Sequence, residues 1–306
     1  MAKKTKQFPR LEEFATRYRV EKGKNFRLKD YDPADTDELS AEMKEEAQNL
    51  LKRGIELMAD LQDKLYAEDR WGVLLIFQAM DAAGKDSTIK HVMSGLNPQG
   101  VQVYSFKAPS AEELDHDYLW RTTKCMPERG RIGIFNRSYY EEVLVVKVHP
   151  ELLQSEKLPP ELVTKHIWEQ RYEDINNFEQ YLANNGIVVR KFFLNLSKKE
   201  QKRRFLSRLD DPHKNWKFST SDIKERAFWD DYQDAYEKMI QNTASEHAPW
   251  YVVPADNKWF TRLTVGAVVA DTLTKIDPKY PKMDKAKLAD LQKAKEMLTG
   301  MKPEEE

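Results

Sequence analysis

The chain has 306 residues, and 40% of them are hydrophobic, which is enough to bury a sizeable core. Its 50 lysines and arginines nearly cancel its 51 aspartates and glutamates, so any attraction to a polyanion must come from local clusters of charge. This balance disfavours a chromatin-type or RNA-coating protein, and we expect no nucleic-acid partner.

The cysteine content and the N-terminal sequence bear on the location of the protein. The single cysteine, Cys125, cannot form an internal disulfide, and the scattered histidines show no zinc-binding spacing. The N-terminal stretch is basic without an apolar core, and no run approaches the roughly 18 apolar residues of a membrane span. We therefore predict a cytoplasmic protein that does not associate with membranes.

The chain begins with a polar segment, 1–37, which Pro9, Gly23 and Pro33 interrupt, so we expect a loosely organised arm. From 39 to 65, apolar residues recur at intervals of three and four, which predicts an amphipathic helix. Short apolar runs then predict strands at 72–77, 101–106, 132–135, 187–196 and 250–253. Helical patterns separate these runs, at 85–95, 110–125, 161–184, 198–209 and 222–243.

Apolar strands that alternate with amphipathic helices are typical of a parallel sheet covered by helices on both faces. We therefore predict a layered α/β fold in which residues 38–281 form a single domain. The charged C-terminal segment, 282–306, carries Leu288, Leu291 and Leu298 along one side. We interpret it as a solvated helix that lies over the body of the protein or over a neighbouring subunit.

The stretch "FQAMDAAGKDST", 77–88, follows the first apolar strand and opens a helical pattern. This is where a Walker A loop surrounds phosphates with its backbone N–H groups. Gly84 and Lys85 fit the pattern G-x-x-x-x-G-K-[ST], whereas Ala79 replaces the first glycine and Asp86 replaces the hydroxyl residue. The alternative is an ordinary turn before a helix with a polar N-cap. We assign phosphate binding in this loop to Ala82, Ala83, Gly84, Asp86 and Ser87.

The same loop carries two carboxylates, Asp81 and Asp86, at a place where anions should bind. A lone carboxylate repels phosphate, whereas Mg²⁺ is usually held by one or two carboxylates together with substrate phosphates. We therefore predict that Asp81 is a metal ligand. Asp86 lies on the first helical turn, where it either binds the metal through water or stabilises the helix N-terminus.

A second polar site follows the strand in "GIFNRSYYEEVL", 133–144. Asn136 and Arg137 end that strand, where a parallel sheet presents its binding edge. Arg137 there can pair with phosphoryl oxygens in a fork, and Glu141 follows about one helical turn later. The alternative is a turn with a surface arginine. We predict that Asn136 and Arg137 extend the phosphate site.

Residues 198–226 contain ten lysines and arginines and five acidic residues. Phosphoryl transfer needs a mobile cationic cover that excludes water, so we predict a lid here, with a solvated helix face as the alternative. Upstream, "HDYLWRTTKC" places Asp117, Arg121 and Lys124 along one side of a predicted helix. Arg121 and Lys124 either extend the cationic track to the nucleotide and phosphate site, or Arg121 pairs with Asp117.

Six motifs in this order resemble the second family of polyphosphate kinases over about residues 40 to 280: "FQAMDAAGKDST", "HDYLWR", "IFNRSYYEEVLV", "KFFLNLSKKEQKRR", "NWKFS" and "APWYVVPADNKWFTR". The layout is also similar to the thymidylate-kinase group of P-loop proteins. The resemblance implies a three-layer α/β/α kinase that passes the terminal phosphoryl group of inorganic polyphosphate to a nucleotide, reversibly and with Mg²⁺, for which Mn²⁺ is the alternative. The motifs are most similar to the single-domain class III type, which implies AMP and ADP as acceptors.

The resemblance also implies roles for individual residues. Those assigned to catalysis are Asp81, Lys85, Arg137 and Glu141. Among them, Asp81 and Glu141 match the metal-binding acids of the family, and the other two match its phosphate-binding cations. The matching lid residues are Arg204, Arg208, Lys214 and Lys217. Asn136 stands where many relatives have aspartate, which leaves its role as a direct metal ligand open.

Two other functions share part of this pattern. An ATP-dependent nucleoside or nucleoside monophosphate kinase would have the same loop and lid, and a non-catalytic polyanion-binding protein would need the cations without Asp81 and Glu141. An acceptor phosphate is already ionised, so the transfer needs charge neutralisation and positioning more than a general base. The apolar positions of the helix at 39–65 and the family resemblance predict a homodimer or homotetramer.

Overall fold

A computed structural model describes residues 11–37, 39–213 and 215–300, apart from the side chains of Ala41 and Lys217. Within these residues the strands are β1 (Arg19–Val20), β2 (Gly72–Gln78), β3 (Val101–Ser105), β4 (Ile132–Asn136), β5 (Ile187–Asn195) and β6 (Trp250–Pro254). They form one sheet in the spatial order β1-β6-β5-β2-β4-β3. β1 pairs antiparallel with β6, and the other neighbouring strands are parallel.

The helices of the described residues lie before, between and after these strands. The α-helices are α1 (Leu11–Arg17), α2 (Lys44–Glu68), α3 (Lys85–Val92), α4 (Ala111–Leu114), α5 (Trp120–Thr123), α6 (Val145–Val148), α7 (Ile167–Asn184), α8 (Lys198–Leu209), α9 (Thr220–Glu225), α10 (Trp229–Thr243), α11 (Lys258–Ile276) and α12 (Lys285–Gly300). The 3₁₀ helices are Leu28–Asp30, Ala41–Met43, Pro98–Gly100, Tyr139–Val143, Pro150–Glu156, Pro160–Leu162, Asn215–Lys217 and Arg226–Phe228. No helix in this part of the chain has the length and apolar character that crossing a membrane requires.

The central strand β2 shows why the sheet has helices on both faces. All of its residues are buried, as the continuous apolar run predicts. Leu75 and Phe77 pack with residues of α1, α2, α3 and α11 on one face. Leu74 and Ile76 pack with residues of α7 and α10 on the other face. The predicted three-layer α/β/α fold with a parallel central sheet is confirmed.

The predicted strands at 72–77, 101–106, 132–135, 187–196 and 250–253 coincide with β2 to β6 except at their ends. The helix predicted at 198–209 coincides with α8, and that predicted at 39–65 is α2 after a 3₁₀ turn. In the segment predicted at 161–184, a 3₁₀ turn at Pro160–Leu162 comes first, and the α-helix α7 begins only at Ile167. Another 3₁₀ turn divides the segment 222–243 into α9 and α10.

The single helix predicted at 110–125 is wrong, because α4 and α5 are separate short helices. Ser110 and Glu113 form a capping box at the start of α4. The Asp117 carboxylate accepts a hydrogen bond from the Leu119 N–H over 2.9 Å just before α5. Such a bond offers the backbone a local partner in place of a continuing helix.

The predicted loose arm also differs from the structure for residues 11–37, while residues 1–10 lie outside the described residues. Phe14 is fully buried in α1, and its ring meets the edge of Phe260 in α11 at a centroid distance of 6.0 Å. Tyr18 also lies in the core, and the strand β1 that follows extends the sheet. The apolar spacing of Leu11, Phe14 and Tyr18 is that of an amphipathic helix, which the proline and glycine content obscures.

The C-terminal helix α12 stands apart from the core. No residue of this helix is buried, and Leu288, Leu291 and Leu298 are 53%, 47% and 67% exposed. Of the two expectations for this segment, packing over the body of the same chain does not hold for residues 285–300. Packing over a neighbouring subunit stays a prediction.

A buried ion pair joins the elements behind the sheet edge. Lys191 in β5 donates to Glu179 in α7 over 2.5 Å, to the Tyr140 hydroxyl over 2.9 Å and to the Thr243 carbonyl over 2.8 Å. Glu179 also accepts from the hydroxyls of Tyr139 and Tyr140 over 2.9 and 2.7 Å. Because Lys191 and Glu179 are both fully buried, each depends on these partners for its charge.

Replacing Lys191 with methionine would leave the Glu179 carboxylate buried without its cation. We expect this change to lower the free energy of unfolding by about 3–5 kcal/mol, measured by urea denaturation. The matched control is Lys275→Met, which removes an ion pair with Asp271 from a side chain that is 53% exposed. This control should cost at most about 1 kcal/mol. Equal losses in the two variants would contradict the assigned importance of the buried pair.

Candidate active site

The loop between β2 and α3 has the backbone shape of a phosphate loop. Gly84 has φ of 103° and precedes α3, and Ala82 has φ of 63°, which is uncommon for a residue with a Cβ. Two left-handed residues so close together turn the chain sharply into the helix N-terminus. A helix N-terminus with turned backbone N–H groups attracts anions.

Lys85 is the first residue of α3, and its side chain crosses the loop. It is only 9% exposed, and its ammonium group donates to the Ala79 carbonyl over 2.7 Å. Burial lowers the pKa of Lys85, and the nearby carboxylate of Asp81 opposes this effect. An ammonium group has three N–H donors, so two are left for phosphate oxygens.

Arg137 follows β4 and lies between two carboxylates. Its backbone adopts φ of 64°, and its N–H bonds the Phe77 carbonyl of β2 over 3.0 Å, which places the ends of the two strands together. One guanidinium nitrogen lies 3.2 Å from Asp81 Oδ1, and the other lies 3.9 Å from Glu141 Oε2. Glu141 raises the pKa of Arg137. The structure therefore brings together the four residues assigned to catalysis, including Lys85.

Glu141 is positioned by a residue that the sequence interpretation missed. With the Gln78 amide oriented to pair donors with acceptors, its nitrogen donates to Glu141 Oε1 over 2.9 Å and its oxygen accepts from the Ser138 N–H over 3.2 Å. Burial raises the pKa of Glu141, while Arg137 opposes this effect. The only signal in the sequence was a polar residue at the end of an apolar strand.

Asp81 and Glu141 approach the same guanidinium group from the ends of two strands. The described residues contain no cluster of three or more histidine, cysteine, aspartate or glutamate side chains that could hold a metal. Two carboxylates suit a hard divalent cation that takes its other ligands from phosphate and water, so the residues fit such an ion.

Asp86, Asn136 and Ser87 lie at the rim of the loop. The Asn136 amide donates to Asp86 Oδ1 over 2.7 Å, so these two side chains pair with each other. The Ser87 hydroxyl donates to the Gly84 carbonyl over 3.0 Å. The proton of the serine is thus used inside the loop, and Asn136 holds an acidic side chain beside the phosphate site.

A cavity of about 340 Å³ opens beside Arg137 and Glu141. Its walls combine aromatic and aliphatic side chains with three basic and five acidic side chains. Apolar walls with converging polar groups are usual in sites for small molecules. The apolar and aromatic lining includes Leu114, Tyr118, Tyr139, Val145 and Leu152. Burial raises the pKa of Glu142, which also lines the cavity, to about 8.

The residues from the "HDYLWR" motif are arranged differently from the prediction. Arg121 lines the cavity, donates to the Lys107 carbonyl over 2.7 Å and lies 3.9 Å from Glu113, so its acidic neighbour is not the aspartate of the motif. Lys124 is exposed, and its ammonium lies 3.3 Å from the centre of the Trp120 ring. A common helical face for these residues is wrong, because the helix is divided in two.

The lid segment, residues 198–226, consists of α8, a 3₁₀ turn and α9. Arg208 lies 3.6 Å from Asp222 of α9. Burial raises the pKa of Asp222, and Asp81 is the next cause of this rise, so α9 lies within electrostatic range of the phosphate loop. Lys214 and the side chain of Lys217 lie outside the described residues.

Arg204 lies in α8, within the segment predicted as the lid. Its side chain is only 7% exposed. Its guanidinium group donates to the Glu200 carboxylate and to the carbonyls of Ala82, Ala83, Ala255 and Asp256. Its N–H donors are directed at the protein, an orientation that the sequence did not indicate.

A glycine–lysine loop before a helix and an arginine beside two carboxylates at the ends of parallel strands are typical of a P-loop phosphotransferase. Residues 40–281 match the family model described as polyphosphate kinase 2. The chain belongs to this family of phosphotransferases.

Two relatives and one solved structure illustrate the similarity. An ADP-polyphosphate phosphotransferase of Rhodopseudomonas palustris is 57% identical over 258 residues, which cover 84% of this chain and 89% of the relative. An AMP/ADP-polyphosphate phosphotransferase of Meiothermus ruber is 44% identical over 88% of this chain and 97% of its own. The crystal structure of polyphosphate kinase 2 from Arthrobacter aurescens superposes with a TM-score of 0.85 and 40% identity, over 94% of this chain and 99% of that chain.

Replacing Asp81 with asparagine keeps the shape of the side chain and removes its charge. If Asp81 holds a divalent cation, phosphoryl-transfer turnover should fall by about 10²-fold or more while the thermal midpoint changes little. Asp60→Asn, on the exposed side of α2, is the matched control and should keep wild-type turnover. Wild-type turnover in Asp81→Asn with unchanged metal dependence would rule out the assignment.

Proposed function

We propose that this chain transfers the terminal phosphoryl group of inorganic polyphosphate to AMP and ADP, reversibly and with Mg²⁺, for which Mn²⁺ can substitute. The observation that carries the proposal is that Lys85, Arg137 and the carboxylates of Asp81 and Glu141 meet at the ends of two parallel strands. The names of the two relatives support polyphosphate as the donor and adenine nucleotides as acceptors.

The cavity beside Arg137 is the proposed site of the acceptor nucleotide. The rings of Tyr118 and Tyr139 offer apolar surface to a base and sugar, while Arg121 and Arg137 are placed to contact its phosphates. A volume of about 340 Å³ lies in the range of small-molecule sites. The donor then lies over the phosphate loop, between Lys85 and the lid segment.

In the proposed reaction, an oxygen of the acceptor phosphate attacks the terminal phosphorus of polyphosphate in line with the bond that breaks. The leaving group is the polyphosphate chain shortened by one unit, and it departs with the bonding electron pair. The attacking oxygen is already ionised, so no side chain has to remove a proton. Lys85 and Arg137 hold the phosphoryl oxygens in place and balance their charge. A divalent cation held by Asp81 and Glu141 would neutralise further phosphate charge.

The proposed donor is tested with purified protein, AMP or ADP, Mg²⁺ and polyphosphate, with no ATP at the start. We expect ADP and ATP to form, and affinity to rise with polyphosphate length because a longer chain meets more cations of the lid segment. Added salt should raise the KM for polyphosphate more than the KM for the nucleotide, since ionic contacts are screened. Transfer from ATP to a nucleoside or nucleoside monophosphate, with none from polyphosphate, would favour an ATP-dependent kinase instead.

We also propose that the protein forms a homodimer or a dimer of dimers. The exposed leucines of α12 and the exposed Leu57 and Tyr66 of α2 are apolar surface that a second copy would cover. Light scattering at micromolar concentration should give a mass of two or four times 36.0 kDa. Replacing Leu291 and Leu298 with glutamate should lower that mass, whereas Lys293→Glu on the same helix should not. A wild-type protein that scatters only as a 36.0 kDa species would contradict the proposal.

A further inference from the structure

The inner face of α8 contacts the backbone of the phosphate loop. Gln201 donates to the Asp81 carbonyl over 3.0 Å, and one nitrogen of Arg204 donates to the carbonyls of Ala82 and Ala83 over 3.0 and 2.8 Å. Both side chains are buried, with 1% and 7% exposure. One helix of the lid segment thus holds three consecutive carbonyl groups of the loop.

Arg204 uses all of its hydrogen-bonding capacity within the protein. A guanidinium group has five N–H donors. Beyond the two bonds to the loop, Nε donates to Glu200 over 2.8 Å, and the remaining nitrogen donates to the carbonyls of Ala255 and Asp256 over 2.6 and 3.1 Å. The five donors have five acceptors, so none is left for a phosphate oxygen. Arg204 instead connects the phosphate loop to the end of β6.

These bonds determine which way the loop presents its N–H groups. In a planar trans peptide, the carbonyl of one residue and the N–H of the next point in opposite directions. Holding the carbonyls of Asp81 and Ala83 toward α8 therefore directs the N–H groups of Ala82 and Gly84 to the opposite side of the loop. N–H groups that converge in this way are what binds phosphate in such loops.

The strained backbone of Ala82 also needs outside support. Its φ of 63° is unfavourable for a residue with a Cβ, and such conformations persist only where the surroundings enforce them. The peptide groups on both sides of Ala82 are held by Gln201 and Arg204. Arg226, at the other end of the lid segment, donates to the Gln201 side-chain oxygen over 2.7 Å. The two ends of the lid segment are thereby joined at the loop.

We propose that Gln201 and Arg204 form a backbone clamp that keeps the phosphate loop in its phosphate-binding shape. Arg204 is then a positioning residue that acts through the loop backbone, and it is not one of the cations that contact polyphosphate. This clamp rests on the proposed function in one respect, namely that the phosphate held by the loop belongs to the polyphosphate donor. The clamp itself requires only that the loop binds a phosphate chain.

The test compares Arg204→Lys and Gln201→Met with Arg27→Lys. Lysine keeps the charge but lacks the planar fork that reaches several carbonyls at once. Arg27 is the matched control, because its side chain is 59% exposed, pairs with Asp30 three residues along the chain and lies outside the lid segment and the phosphate loop. The measurements are kcat, the KM of each substrate, the calorimetric affinity for Mg²⁺–tripolyphosphate, and the thermal midpoint.

For Arg204→Lys we expect kcat to fall about 10- to 100-fold and tripolyphosphate affinity to fall about tenfold, because the loop donors lose their alignment. The KM for the nucleotide should stay within about twofold, since the cavity is lined by residues between 107 and 156 and not by α8. Arg27→Lys should stay within about twofold in every quantity, as is usual for exposed ion pairs.

A folded Arg204→Lys protein with wild-type kcat and tripolyphosphate affinity would overturn the clamp. A raised KM for polyphosphate with unchanged kcat in Arg204→Lys would also overturn the clamp, because it would show that Arg204 is a cation that contacts the donor. If Arg204→Lys does not fold, the Gln201→Met variant decides the question. Because this variant loses one bond that aligns the loop, kcat and tripolyphosphate affinity should each fall about 3- to 10-fold. If the wild type transfers nothing from polyphosphate, the proposed function fails, and the tripolyphosphate titration still decides the clamp.

Discussion

The site depends on one electrostatic constraint: carboxylates and phosphates must share the end of a parallel sheet. Arg137 lies between Asp81 and Glu141, and Lys85 is buried beside them, so the two cations and two carboxylates balance each other. A phosphate chain adds negative charge to this balanced group. In the proposed site, the two carboxylates would hold a divalent cation that restores the balance, and they would then attract the metal complex of phosphate instead of repelling free phosphate.

The scaffold holds these charges on rigid elements. Asp81, Lys85 and Arg137 follow the ends of β2 and β4, which are paired and buried, and the ion pair of Lys191 and Glu179 joins the helices behind them. A site on such supports keeps its geometry with little reorganisation. The basic helix α8 then has two proposed functions on two faces. Its inner face holds the phosphate loop, so the surface available to polyphosphate is smaller than its count of basic residues suggests.

The sequence predicted the strands and the phosphate loop because their signals are local, namely continuous apolar runs and a glycine–lysine turn. It did not predict the break in 110–125, where the carboxylate of Asp117 bonds the backbone. Nor did it predict the orientation of Arg204, since a basic helix has no local signal for which arginine faces inward. Gln78 and Gln201 were missed for the same reason, because an amide becomes a positioning group only through contacts far along the chain.

The requirement for a metal between carboxylate and phosphate is tested most directly by calorimetric titration of tripolyphosphate with and without Mg²⁺. The account predicts that the wild type binds the Mg²⁺ complex more tightly than the metal-free chain. The double variant Asp81→Asn, Glu141→Gln lacks the metal ligands, so its preference for the Mg²⁺ complex should disappear. It also lacks the carboxylates that repel phosphate, so it should bind metal-free tripolyphosphate more tightly than the wild type does. The same preference for the Mg²⁺ complex in both proteins would contradict the account.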